Sequence, residues 1–300
     1  GLAEPAHPSS RMSQRASQSF SPMQAAWRRF CRHRLNVAAF WFLIALVVLC
    51  VFGPFLSPYA QDAQDLELKA VNVSAPHWLG TDTLGRDMLT RILHGGRVSL
   101  AVGLLATLVA ACIGVTYGLI SGLAGGRVDA LMMRVVDILY AFPFINFVIL
   151  LMVVFGRQFW LIFVAIGAVE WLTMARVVRG QVLALKNLEF VTAAKASGAG
   201  FWHIVRKHLL PNVIGPVIIY ASLTVPGVML LEATLSFLGL GIQPPNASWG
   251  VLLGDGSQVM QTYPWLLLYP GLFFSSTLLA LNILGDGLRD AFDPKSAAQE

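Results

Sequence analysis

The 300-residue sequence predicts an all-α, polytopic membrane protein with six transmembrane helices, and three observations carry that prediction. Hydrophobic residues make up 56% of the chain and charged residues 12%, with a mean hydropathy of +0.66, which is not the balance of a soluble domain. The apolar residues gather into runs of about 20, the length that crosses a bilayer as a helix. Lys and Arg cluster at alternate ends of those runs, as the positive-inside rule requires. Basic clusters that flank apolar runs mark topology rather than a nucleic-acid surface. Cys50 and Cys112 sit inside apolar runs and Cys31 in a basic tail, so neither a disulfide framework nor a metal-ligand spacing exists.

Residues 1–34 carry Arg11, Arg15, Arg28, Arg29, Arg32 and Arg34 against Glu4 alone, and the polar first half reads as disordered. An organellar transit peptide or a signal n-region is the alternative; against a cleaved signal, Leu35 to Leu56 has bilayer length and ends at Gly53-Pro54 and Pro58 without a small-residue cleavage site. It is read as an uncleaved first span with the N-terminus in the cytoplasm. Residues 57–97 form the longest polar segment, nearly balanced in charge, and are placed outside; Met88 to Leu93 is read as an amphipathic tail along the interface. The second span, Val98 to Ile120, repeats a small residue every four positions, Ala106, Ala110, Gly114, Gly118 and on to Gly122, a ridge that admits another helix backbone. An inside loop, Gly125 to Asp137, leads to a third span, Ile138 to Phe155, and an outside turn around Arg157 to a fourth, Phe159 to Val178. Arg176, Arg179, Lys186, Lys195, Arg206 and Lys207 against Glu189 place residues 187–211 inside. The fifth span, Asn212 to Leu238, contains Pro216 and Pro226, where kinks are expected. Residues 239–263 carry no Lys or Arg and are read as an outside loop before the sixth span, Pro264 to Leu284, and an inside tail.

The inside stretch 187–211 has structure of its own. Asn187 can cap a short helix whose first turn holds Glu189. Phe190, Ala193, Ala194 and Ser197 share a face on which small side chains allow another protein to approach, and Gly198 stops the helix. Phe201 to Leu209 can form a second helical segment before Leu210-Pro211 opens the next span. The chain has no phosphate loop of its own: its one Lys followed by Ser or Thr, Lys295, is preceded by Pro294 where Gly is required. No metalloprotease helix or nucleophile elbow appears either, so enzymatic chemistry has no visible carrier. A carboxylate at a helix centre costs about 2.5–3.5 kcal/mol on insertion scales. Glu232 and Glu170 therefore should face protein or water, either lining or gating a pathway or hydrogen-bonded to a neighbouring helix; Asn146 in the third span is a further pathway candidate.

Thr192-Ala193-Ala194-x-x-x-Gly198, closing at Leu210-Pro211, resembles the EAA loop of permease subunits in binding-protein-dependent ABC importers. Thr192 stands where that pattern has Glu, and His208 where it has Ile. Further stretches are similar to the C-type permease of the peptide and nickel importer family: His77-Trp-Leu-Gly80-Thr-Asp82-x-x-Gly85-Arg-Asp87, Gly125-Gly126-x-x-Asp129-x-x-x-x-Arg134-x-x-Asp137, Ser236-Phe-Leu-Gly-Leu-Gly241, Ser248-Trp-Gly250, and Gly285-Asp-Gly-Leu-Arg-Asp290-x-x-Asp293-Pro-Lys295.

The resemblance implies a type I ABC importer permease fold. Its parts would be a cytoplasmic tail 1–34, a six-helix permease domain 35–285 with outside segment 57–97 and coupling loop 187–211, and a cytoplasmic tail 286–300. It implies ATPase contacts at Glu189, Thr192, Ala193, Ala194, Lys195, Ser197, Gly198, Leu210 and Pro211. The implied partners are a B-type permease, two cytoplasmic ATPases carrying the ATP and Mg, and an extracytoplasmic solute-binding protein, with no cofactor on this chain, no nucleic acid, and a place in the bacterial inner membrane. Peptides, oligopeptides ahead of dipeptides, are the implied cargo; nickel or another small solute, and an ATP-independent secondary transporter, are the alternatives.

Overall fold

The computed structural model describes residues 22–156 and 159–292, so Arg11, Arg15, Arg157 and the Asp293 to Lys295 segment lie outside the described residues. The chain runs through α1 (Pro22–Arg32), α2 (Arg34–Leu56), α3 (Met88–Ala124), α4 (Gly126–Ala141), α5 (Phe144–Phe155), α6 (Phe159–Leu185), α7 (Glu189–Ala196), α8 (Phe201–Ile204), α9 (Leu210–Phe237), α10 (Trp249–Gln258) and α11 (Trp265–Phe292). Among the described residues, five helical stretches are long and apolar enough to cross a bilayer, or six with α4 and α5 taken together as one broken span bent by 82°.

Several expectations are corrected. The third span is not one helix: Phe142 is extended ahead of Pro143, whose ring excludes the α conformation for the residue before it, and the chain turns there. The Gly125 to Asp137 loop is instead most of α4. Met88 to Leu93 is not a separate tail but the first turns of α3, with Met88, Ile92 and Leu93 buried. That helix begins where the Asp87 side chain accepts the Thr90 amide proton at 2.8 Å, and its 37 residues extend about 55 Å. Residues 239–263 hold α10, and α9 extends from Leu210 to Phe237 with Pro216 and Pro226 inside it. The fourth and sixth spans continue to Leu185 and Phe292.

The small-residue ridge of α3 packs on α6. A Cβ on Gly114 would stand 2.6 Å from Met174 Cβ, and one on Gly122 2.8 Å from Val182 Cβ, so the backbones meet where no larger side chain fits. At the other side, α2 is joined to α3 by an exchange that Pro54 makes necessary. Pro54 has no N–H to give the Cys50 carbonyl one turn back. Arg97 Nε donates to that oxygen at 2.7 Å, and its Nη2 donates to Val51 O.

Two apolar clusters mark the ends of the bundle. One gathers Met88, Ile92, Met229, Trp249, Leu252 and Phe274 around α10. The other gathers Leu119, Val178, Val182, Val191, Leu209 and Val213 around α7. Phe30 of α1 and Ala291 of α11 share a third, small cluster, and Phe292 packs beside Gly215 at the start of α9, so both described ends lie at the α7 end.

Candidate functional site

Helix α7 is eight residues long and is held to its own chain chiefly by Val191, which is fully buried in the cluster of α3, α6 and α9. The rest of it is turned outward: Glu189, Phe190, Thr192, Ala193, Lys195 and Ser197 are exposed, while Ala194, beside the anchor, is half-buried. The expected face therefore divides, with Phe190, Ala193 and Ser197 free and Ala194 partly occupied at home.

The helix has defined ends. Leu188, not Asn187, is the N-cap residue and makes no side-chain cap; the amides of Val191 and Thr192 both bond to its carbonyl instead. At the other end Ala199 N donates to Ala194 O and Gly198 N to Lys195 O, both at 3.0 Å, the paired bonds of a Schellman stop. Gly198 has φ +79°, which a side chain resists, although no atom lies within 4 Å of where its Cβ would be. Thr192 Oγ1 donates to Leu188 O at 3.1 Å and Ser197 Oγ to Ala193 O at 2.9 Å, so both hydroxyls are spent within the helix.

The return path is also continuous. From Phe201 the chain is helical through to Phe237, and Val205–Leu209 is a π turn in which Leu210 N reaches back to Val205 O. Widening by one residue is how a helix accommodates Pro211, whose ring crowds the turn before it. Leu210-Pro211 thus lies within an unbroken rod, Leu210 half-buried and Pro211 exposed, and does not begin a new one. His208, one of the two departures from the loop pattern, sits 6.0 Å from the Phe190 ring and 6.0 Å from that of His203.

The α7 end is braced by charges. Arg179 of α6 forks onto Asp129 of α4, Nε to Oδ1 at 2.5 Å and Nη2 to Oδ2 at 2.6 Å, while Ser121 Oγ of α3 donates to the same Oδ1. Lys186 Nζ donates to Gly122 O at 3.0 Å, and Arg176 pairs with Asp137 at 2.8 Å while lying over the Tyr140 ring. Asp129 and Arg179 were visible in the sequence as a motif residue and a topology marker; nothing in their spacing of 50 positions announced that they meet.

The three pathway candidates separate. Asn146 is exposed on α5 and Glu170 half-buried on α6. Glu232 on α9 has no exposed surface and faces no open space: its carboxylate accepts hydrogen bonds from Ser236 at 2.7 Å, Ser248 at 2.7 Å and Ser99 at 3.3 Å. In this structure Glu232 is hydrogen-bonded within the bundle rather than open to a pathway.

A helical bundle of this order, with an outward-turned short helix between its fourth and fifth membrane passages, can be compared with known proteins. The family described as binding-protein-dependent transport system inner membrane component matches residues 114–297, more than half of the chain. The chain belongs to that family. A second description, the N-terminal TM domain of oligopeptide transport permease C, matches residues 21–76. The oligopeptide transport system permease protein OppC of Escherichia coli is 50% identical over 274 residues, 91% of each chain. The dipeptide transport system permease protein DppC of Bacillus subtilis is 49% identical over 278 residues, 92% of this chain and 87% of its own. Among solved structures, an inward-facing MetNI methionine ABC transporter has a chain that superposes with a TM-score of 0.56 at 18% identity, covering 68% of this chain and 97% of that one. That likeness carries the fold, and it is the type I ABC importer permease fold expected from the sequence. The chain is a multi-pass membrane permease subunit, in a family of transport components rather than enzymes.

Proposed function

We propose that this chain forms half of the translocation pathway of an ATP-driven peptide importer of the bacterial inner membrane, and that α7 is the surface through which ATP-driven motion enters it. Its relatives are named for oligopeptide and dipeptide transport at nearly equal identity, which supports peptides as the cargo; the oligopeptide-type N-terminal match leans toward the longer ones. The observation that carries the coupling role is the shape of α7: a short helix with a fixed stop, one buried anchor and an exposed face of small side chains. Such a helix fits a groove and transmits a push to α3, α6 and α9 through Val191.

In this reading a B-type permease is the other half of the pathway, two ATPases carrying ATP and Mg receive α7 and its counterpart, and an extracytoplasmic binding protein delivers the peptide. The α7 end is cytoplasmic, because Arg176, Arg179, Lys186, Lys195, Arg206 and Lys207 all lie there. Asn146 and Glu170, with polar groups open or half-open, are the side chains proposed to meet the pathway. Transport proceeds by alternating access.

Replacing Ala193 by Arg tests the docking face without touching the buried anchor. Peptide uptake and transport-stimulated ATP hydrolysis are expected to fall at least tenfold while membrane insertion stays normal, and Cys introduced at Ser197 is expected to crosslink to the ATPase. Full uptake by the Arg variant, or no crosslink in an intact complex, would remove α7 from the coupling path.

A further inference from the structure

We infer that Glu232 is a reversible latch, a positioning residue that holds α10 against α3 and α9 and releases it during the transport cycle; the inference rests on the importer reading above. Helix α10 has ten residues, too few to cross a membrane, and lies at the end of the bundle opposite α7. Its attachment is organised around the Glu232 carboxylate. Ser248 donates to Oε1 and at the same time accepts the Val251 amide proton at 3.1 Å, capping α10. Ser99 donates to Oε2 and accepts the Trp249 amide proton at 3.1 Å. Each hydroxyl therefore spends its proton on Glu232 and a lone pair on the first amides of α10, so one side chain ties three elements together. Trp249 is fully buried beside them with its indole N–H on Ile92 O at 2.9 Å, and a Cβ on Gly250 would stand only 2.5 Å from Ala233 Cα.

A permanent seam is better made apolar. Replacing buried ionic groups by packed hydrophobic ones is often neutral or stabilising, and a carboxylate in a span has a real insertion cost. The polar arrangement differs in what happens on separation: a parted apolar contact exposes oil to water, whereas Glu232 parted from Ser99 and Ser248 is hydrated at once. Ser236 also lines a cavity of about 310 Å³, together with Gln243, Asn246, Gly254 and Asp255, which gives water a route to the seam. On that side Asp255 is exposed and 3.7 Å from Arg91, while the opposite face of α10 stays packed on α11 at Gly256. The closed state is satisfied by serines and the open one by water, which keeps the two close in energy and makes the contact a switch.

The test is a reversible lock across the seam. A Cβ on Gly254 would lie 3.6 Å from Phe237 Cα, so thiols at the two positions are within reach of a short bis-methanethiosulfonate crosslinker that reduction removes. In the assembled transporter, with Cys31→Ser, Cys50→Ala and Cys112→Ser, the Phe237→Cys/Gly254→Cys pair is expected to lose uptake at least tenfold on crosslinking and to recover on reduction. Uptake unchanged by a formed crosslink would overturn the latch and leave the importer reading standing; a reduced transporter that takes up no peptide would count against the importer reading itself. A second measurement needs no crosslink. Ala247→Cys, at a position 2% exposed, is expected to react with a membrane-impermeant maleimide at least fivefold faster after trapping with ATP and vanadate than at rest. Equal rates would overturn the proposal. Glu232→Met, which makes the seam apolar, is expected to suppress both that reaction and uptake, whereas Glu232→Gln, still able to hydrate, retains most of each; a Met variant as active as the native protein would sink the idea.

Discussion

Single residues decide how firmly α7 is held and where it stops. Gly198 occupies φ +79° in open space, so a methyl group there meets no neighbour and the whole effect of Gly198→Ala is backbone strain of about 1–2 kcal/mol. Because the strain unwinds only the end of an exposed helix, insertion and folding of the bundle should be unchanged, while coupled ATP hydrolysis falls severalfold. Val191→Ala acts at the other contact. It empties a fully buried site at the anchor, costs on the order of 1–3 kcal/mol, and should loosen α7 from α3 and α6. The expected signature is faster amide exchange in 189–198 with that of α9 unchanged. Both substitutions also bear on the two pattern departures. Thr192, though exposed, turns its hydroxyl back onto Leu188 O, and His208 rests by Phe190, so their difference from the usual Glu and Ile alters the loop's own contacts as well as its outer face.

At the level of elements, the bundle is assembled from joints that sequence periodicity does not announce. The α3–α6 joint was legible because small residues recur every four positions, a period that mere Ala and Gly abundance in membrane helices does not require, and Gly114, Gly118 and Gly122 all pack on α6. The Arg179–Asp129 fork was not, since two charges 50 positions apart can be recognised as partners only when the helices are in place. The fork has a specific consequence. Arg179→Asp leaves two carboxylates facing each other at the α7 end and should abolish assembly or transport, and the reversed pair Asp129→Arg/Arg179→Asp should restore at least part of it; Arg179 is one-third exposed, so the rescue reports geometry more than buried charge. Failure of the reversed pair in a correctly inserted protein would mean that Ser121 and the helix ends, not the ion pair, set the geometry. Arg97 poses the same kind of question on α2. Lys in its place has no planar fork and cannot serve Cys50 O and Val51 O together, so Arg97→Lys should weaken the α2–α3 joint nearly as much as Arg97→Leu.

For the whole molecule, length and hydropathy were enough to find six passages, because a bilayer demands continuous apolar helix and leaves few alternatives. What they could not show was the break at Phe142-Pro143, since an apolar run reads the same whether straight or bent by 82°, nor α10, whose ten residues resemble a loop in composition. Glu232 was conspicuous as a carboxylate in a span, but its three serine partners lie up to 133 positions away and its role depends on them. Orientation is the remaining property that acts on the molecule as one body. Both described ends and α7 share one end of the bundle, and exposed Lys69 marks the opposite side while exposed Lys195 marks the α7 side. Because the excess of Lys and Arg sits with Lys195, an impermeant thiol reagent applied to whole cells should modify Lys69→Cys readily, and Lys195→Cys only after the membrane is opened. The opposite pattern would invert the protein, put α7 outside, and leave it without access to any source of ATP.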